Sequence, residues 1–211
     1  MKPFGLLVGF FIFATACTRD HLPATPNLPY DTWFVGLAAP KYMEVWVESV
    51  DTLDQKGTAY IRVFGGVPSY TGKAEGWYQG AGKTKSVNNV DLPERVSLRW
   101  QSLAEPQTYR ISITIPQWVR DEMIKPTHMY CAPAKRDMTL YPHTLTLGMA
   151  PGGIVKVWLG AGCLGYKEIG RYQAEVDPRG PYGGKSNGKY IPMEPENKAY
   201  VEKHGIPYGT W

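Results

Sequence analysis

The chain has 211 residues and a formal charge of +4, with 23 basic and 19 acidic side chains; these are interspersed rather than clustered, which argues against nucleic acid as a partner. Aromatic residues make up 13%, alongside 23 Gly and 18 Pro, a balance that favours many short strands joined by tight turns over a helical bundle.

The N-terminus reads "MKPFGLLVGFFIFATAC": one Lys, an apolar run over residues 4–13, then Ala14, Thr15 and Ala16 before Cys17. That layout is a secretory signal peptide, its apolar run too short to span a bilayer core of about 30 Å. A Cys directly after small residues is similar to the lipobox of bacterial lipoproteins. Residues 1–16 are therefore expected to be removed and Cys17 to carry the acyl chains, palmitate included, as the mature N-terminus. The alternative is an ordinary cleaved signal followed by an unmodified Cys. Several acyl chains at about 0.8 kcal/mol per buried CH₂ make a stable anchor. Thr18, where an Asp would retain a Gram-negative lipoprotein at the inner membrane, implies the outer membrane, facing the periplasm. Residues 17–32 contain "TRDHLPATPNLPYD", Pro-rich and without periodicity, and read as a lipidated flexible tether.

About 195 residues remain after cleavage, enough for one domain and its core. "TWFVGLAAP" and "YMEVWVESVDTL" read as strands, and the second makes a hairpin with "TAYIRVFGGV". In "RVSLRWQSL" the alternation places Val96, Leu98 and Trp100 on one face, opposite Arg95, Ser97, Arg99 and Gln101. "TYRISITI" repeats it, with Tyr109, Ile111, Ile113 and Ile115 inward and Arg110, Ser112 and Thr114 outward. One internal helix is predicted from Pro116 until Pro126 stops it. "CAPAKRDM" reads as loop; "TLTLGMA", "IVKVWLGA" and "YKEIGRYQAEV" read as strands. The fold class is mainly β: an antiparallel β-sandwich or an α+β sheet domain over 33–178. Residues 179–211 form a Gly/Pro/Tyr-rich tail, wrapped on the surface or mobile, with a short helix opened by Pro195 and capped by Gly205.

Cys131 and Cys163 are the two cysteines after Cys17. In an oxidising compartment they read as a disulfide, worth roughly 3 to 4 kcal/mol for a loop of about 30 residues. Two separate buried thiols, or a zinc set with His128 and His143, are the alternatives. His143 enters a strand with no nucleophile-elbow Ser in company, and the neighbours Asp121 and Glu122 point to different helix faces, so no enzymatic constellation emerges.

The segment 65–91 reads as a long loop without an element of its own, carrying Tyr70, Lys73, Trp77, Tyr78, Lys83 and Lys85. Such loops often bind, and aromatics beside cations suit an acidic protein surface or a sugar. Trp77 folding back to close the sheet core is the competing reading. Its "GWYQGAGKTKS" imitates a phosphate loop, but the spacing puts Trp77 where glycine is required and no helix follows. No nucleotide and no cofactor is expected.

"AAPKYMEVWVE", "YIRVFGGVPSYTGKAEGW", "LPERVSLRWQSLAE", "LGMAPGGIVKVWLG" and "EIGRYQAEVDP", in that order behind a lipobox, resemble an uncharacterised family of Gram-negative lipoproteins, domain of unknown function 2931. The resemblance covers roughly residues 33–178. Some members are encoded beside toxic effectors of the type VI secretion system, which implies an immunity role. The expectation is a protein-binding module, not an enzyme, that occludes a secreted toxin or another envelope protein. The alternative is a structural or glycan-binding envelope lipoprotein.

Overall fold

The computed structural model describes residues 27–77 and 80–211; residues 1–26, with Cys17 and the signal segment, and Tyr78 lie outside that description. Two sheets dominate. Sheet one contains β1 (Thr32–Pro40), β4 (Ser69–Thr71), β5 (Lys83–Asn88), β10 (Thr144–Ala150), β11 (Ile154–Ala161) and β12 (Gly165–Gln173), in the order β12-β11-β10-β1-β4, with β5 also on β1. Sheet two contains β2 (Val45–Asp54), β3 (Ala59–Gly66), β6 (Pro93–Ser102), β7 (Gln107–Thr114) and β13 (Glu175–Val176), in the order β13-β7-β6-β2-β3. The fold is mainly β, as the alternation indicates; β1 runs parallel to β10 and to β4, and the other pairings are antiparallel.

Strand alternation builds the core between the sheets. Val35 and Leu37 of β1, with Leu145, Leu147 and Met149 of β10, meet Val45 and Val47 of β2 and Val96, Leu98 and Trp100 of β6 in one buried cluster. Each fully buried aliphatic side chain contributes about 1.5–3 kcal/mol. The helix α1 (Gln117–Met123) closes one end through Val119 and Met123, and α2 (Pro195–His204), ended at Gly205, lies at the other.

Four expectations need correction. The segment 65–91 holds β4 and β5, which share one edge of β1: Ala38 pairs with Ser69, and Thr32 to Leu37 pair with Asn88 to Lys83. "KTKS" hides a strand because a lysine-rich edge strand keeps few side chains in the core. "CAPAKRDM" is part of a hairpin, β8 (Thr127–Cys131) and β9 (Arg136–Leu140), around a 3₁₀ turn. Both its faces are largely exposed, so no alternation marks it. "YKEIGRYQAEV" divides between the sheets, β12 pairing with β11 and β13 with β7. Finally, Gln101 lies on the outer face of sheet two yet is fully buried, because the tail covers it.

The outer face of sheet one is covered at Trp77 and Ala81. A Cβ at Gly36 would lie 2.0 Å from the Ala81 carbonyl oxygen, which accepts a 3.1 Å hydrogen bond from Thr146 Oγ1, the residue in register with Gly36. A Cβ at Gly148 would meet Trp158 at 2.5 Å and Trp77 at 2.7 Å. Glycine at 36 and 148 thus admits the loop backbone and two indoles. Gly36→Ala should destabilise by about 1–3 kcal/mol through overpacking, read as a lower urea midpoint; an unchanged midpoint would show that the loop does not bear on β1.

Candidate binding site

The outer face of sheet two presents two rows of polar side chains in register. Glu175 of β13 pairs with Arg110 of β7, Arg110 with Arg99 of β6, and Arg99 with Ser49 of β2. The next row runs Ser112, Ser97, Asp51, and Ser97 Oγ lies 3.0 Å from Ser112 Oγ. Two clefts of about 690 Å³ and 530 Å³ meet over these rows, sharing Ser49, Arg99 and Arg179. Tyr172 and Glu175 wall one side, and Arg62, Tyr182 and Lys185 the other. Arg62 sits at φ +56° where β3 bulges, and its amide donates to Asp51 Oδ1 at 2.7 Å. A bulge on an edge strand re-aims side chains, and here it turns Arg62 to the trough.

Arg99 is held on three sides. Its Nε donates to Glu48, one terminal nitrogen to Asp177 and the other to the Gly180 carbonyl. Asp177 is fully buried and also accepts from Arg179 Nε at 3.0 Å and Nη2 at 2.9 Å. The hydrogen bonds from Arg179 hold the Asp177 carboxyl well below the usual carboxylate range, against the opposing effect of burial and with further help from the Arg99 charge. Charge-assisted bonds to a planar guanidinium fix its orientation as well as its position.

The same carboxylates fasten the tail. Glu48 Oε1 accepts from the Tyr182 amide at 2.7 Å and from Gln101 Nε2 at 2.9 Å, while Gln101 Oε1 accepts from the Ile191 amide at 3.0 Å. Glu44 accepts from the Glu194 amide at 2.8 Å and Asn197 Nδ2 at 3.1 Å. Glu105 accepts from the Gly152 amide, from Tyr109 and, at 2.9 Å, from the Tyr208 hydroxyl. Burial, then the Glu105 hydrogen bond, pushes the Tyr208 hydroxyl up to about 12. Trp211 ends the chain buried beside Met43, Ala74 and Ala150, its Nε1 donating to the Ala74 carbonyl at 3.1 Å. Residues 179–211 are therefore a strap, and its start forms one wall of the trough.

The residues singled out in the sequence are distributed elsewhere. Tyr70 is partly exposed on β4, where burial and the Glu44 charge push its hydroxyl up to about 12. Lys73 lines a shallow cavity with Tyr42 and Tyr200. Trp77 packs edge-on against Trp158, centroids 5.3 Å apart, and joins the smaller apolar cluster under the strap. Lys83 and Lys85 are exposed on β5. These five belong to the sheet-one side or the strap end, and none of them lines the trough. Cys131 and Cys163 are joined by a disulfide, Cα atoms 5.5 Å apart, which consumes the thiols a zinc set with His128 and His143 needs. His143 packs between Tyr30 and Phe34, with centroids at 5.2 and 5.3 Å, and burial lowers its basicity. Arg99, Arg110, Ser97 and Ser112 were legible as outward residues, but nothing in the alternation signalled the walls that turn that face into a trough.

A family of proteins of unknown function, DUF2931, matches residues 18–209. The chain belongs to the DUF2931 family. No curated protein and no solved structure matches it. The DUF2931 match runs past 178 to residue 209, so the strap falls within the family's unit along with the sandwich it covers.

In this DUF2931 member, Asp177→Asn leaves Arg99 and Arg179 without their shared countercharge and should destabilise by about 3 kcal/mol at neutral pH. Because the folded Asp177 carboxyl titrates below the unfolded value of 3.8, its contribution is present above that pH and is lost as pH falls through the folded value. Urea unfolding should show the wild-type advantage over Asp177→Asn shrinking only below pH 3.8; a gap that is constant down to strong acid would contradict the assignment.

Proposed function

We propose that the protein is an outer-membrane-anchored periplasmic lipoprotein that acts as a protein-binding module, with the trough on sheet two as its docking surface. The observation that carries this reading is the pinned guanidinium row. Arg99 is held in place by Glu48, Asp177 and Gly180, and Arg110, Arg62 and Lys185 stand around it at the surface. With Arg99 neutralised from within, the cations left at the surface are Arg110, Arg62 and Lys185, and beside hydroxyls and tyrosines they match the acidic surface of a protein partner, where Arg and Tyr anchors dominate binding energy. An interface of about 1,600 Å² requires such a rigid patch and no chemistry of its own.

The lipobox at Cys17 supplies the anchor, and the family resemblance extends the role to immunity: neutralising a type VI secretion effector by covering it. The trough's guanidinium, hydroxyl and carboxylate groups support recognition. A protein partner is favoured over a small ligand because the trough spans two joined clefts across four strands instead of one enclosed pocket.

The test is complex formation with the protein encoded by the adjacent gene. Arg110→Glu with Lys185→Glu, both at exposed positions that circular dichroism should find folded, is expected to weaken binding by about 100-fold, as loss of two hot-spot contacts does. An unchanged affinity would move the docking surface elsewhere, and failure of the wild type to bind or to protect a host cell would remove the immunity reading.

A further inference from the structure

The sandwich has two unlike ends. At one, the strap, α2 and the turn between β10 and β11 gather around Trp211. At the other, β1 begins at Thr32 opposite Asn88, β10 begins at Thr144 opposite Gly160, and α1 caps the core. The chain enters at this second end: Tyr30 donates its hydroxyl to the Met123 carbonyl at 3.1 Å, and Leu28 and Pro29 line a cavity with Ile124.

Three large side chains stand exposed there within one short segment: Trp118 at 45%, Ile124 at 43% and Tyr130 at 58%. Trp118 borders the β11–β12 turn, with Gly160, Gly165 and Tyr166. Tyr130 is on the β8–β9 hairpin, which the Cys131–Cys163 bond ties to that same turn. Exposed Trp and Tyr with an aliphatic neighbour are the residues that settle at the level of lipid headgroups.

From Cys17 to Asn27 the chain is ten residues, which reach at most about 35 Å when fully extended. A domain of this size is itself about 30–40 Å across. The acyl chains therefore hold the entry end within one domain diameter of the bilayer, with the apolar residues already on it. We infer that the α1–β8 end is a membrane-contact surface that rests in the headgroup layer, Trp118, Ile124 and Tyr130 touching lipid. This inference rests on the lipidation of Cys17 proposed above. It leaves the trough on the flank of the sandwich and the strap end turned away from the membrane.

The test uses the full lipidated chain reconstituted in vesicles of phosphatidylethanolamine and phosphatidylglycerol, with and without brominated acyl chains that quench nearby indoles. The wild type should float with the vesicles and lose emission in the brominated set. Trp118→Phe should lose at least half of that quenching, whereas Trp46→Phe, in the second cleft of the trough on the flank, should keep it. Flotation with no quenching, or with quenching unaffected by Trp118→Phe, would overturn the membrane contact while leaving the anchor standing. A wild type that does not float, or a Cys17→Ala chain that floats equally well, would overturn the anchor and the contact with it.

Discussion

Arg99 and Arg110 stand directly across from each other on neighbouring strands, and like charges in register repel unless countercharge is close. The structure answers this with carboxylates beside both: Glu175 of β13 lies 3.5 Å from Arg110. Asp177 follows directly on β13, fully buried, and Glu48 comes from β2. Together they neutralise Arg99, orient Arg179 and, through Glu48, hold the Tyr182 amide. The return of the chain to sheet two after β12, the start of the strap and the shape of the trough therefore all hang on one guanidinium. Removing water from such a cluster is tolerable only because nearly every lone pair and N–H finds a partner.

The strap extends the same logic. Glu44, Glu48 and Glu105 each give a carboxylate to a backbone amide or hydroxyl of residues 182–208, and Trp211 supplies the apolar end. A segment rich in Gly and Pro has little propensity of its own, so its order comes from these tertiary contacts. The outer face of sheet one is covered by a different device, a loop admitted by glycines at 36 and 148. Each sheet thus has its outward side partly dressed, and the trough is what the strap leaves open.

Much of this was legible in residue order. The alternation in 95–101 and 108–115 assigns both faces of β6 and β7, and Pro195 with Gly205 brackets α2. What was not legible has physical causes. Lys83 and Lys85 mask β5, because an edge strand needs no apolar face. β8 and β9 lie outside the core and carry no period. Gln101 reads as a solvent residue until a segment some ninety positions later covers it. Trp77, open between a binding role and folding back on the sheet, packs against Trp158. The site fell to the same blindness: Arg99 and Arg110 look like ordinary outward charges, and only the pairing of β13 with β7 sets Glu175 and Arg179 beside them.

The strap is an integral layer of the fold, fixed by buried carboxylates, and not a loose tail. Amide hydrogen exchange on the full chain reads this out, because the Tyr182, Ile191 and Glu194 amides donate to Glu48, Gln101 and Glu44. These amides should exchange with protection approaching that of the amides in β6 and β7, opening only with the sandwich itself. Exchange at the rate of an unstructured chain at those three positions, with the sheets still protected, would contradict it.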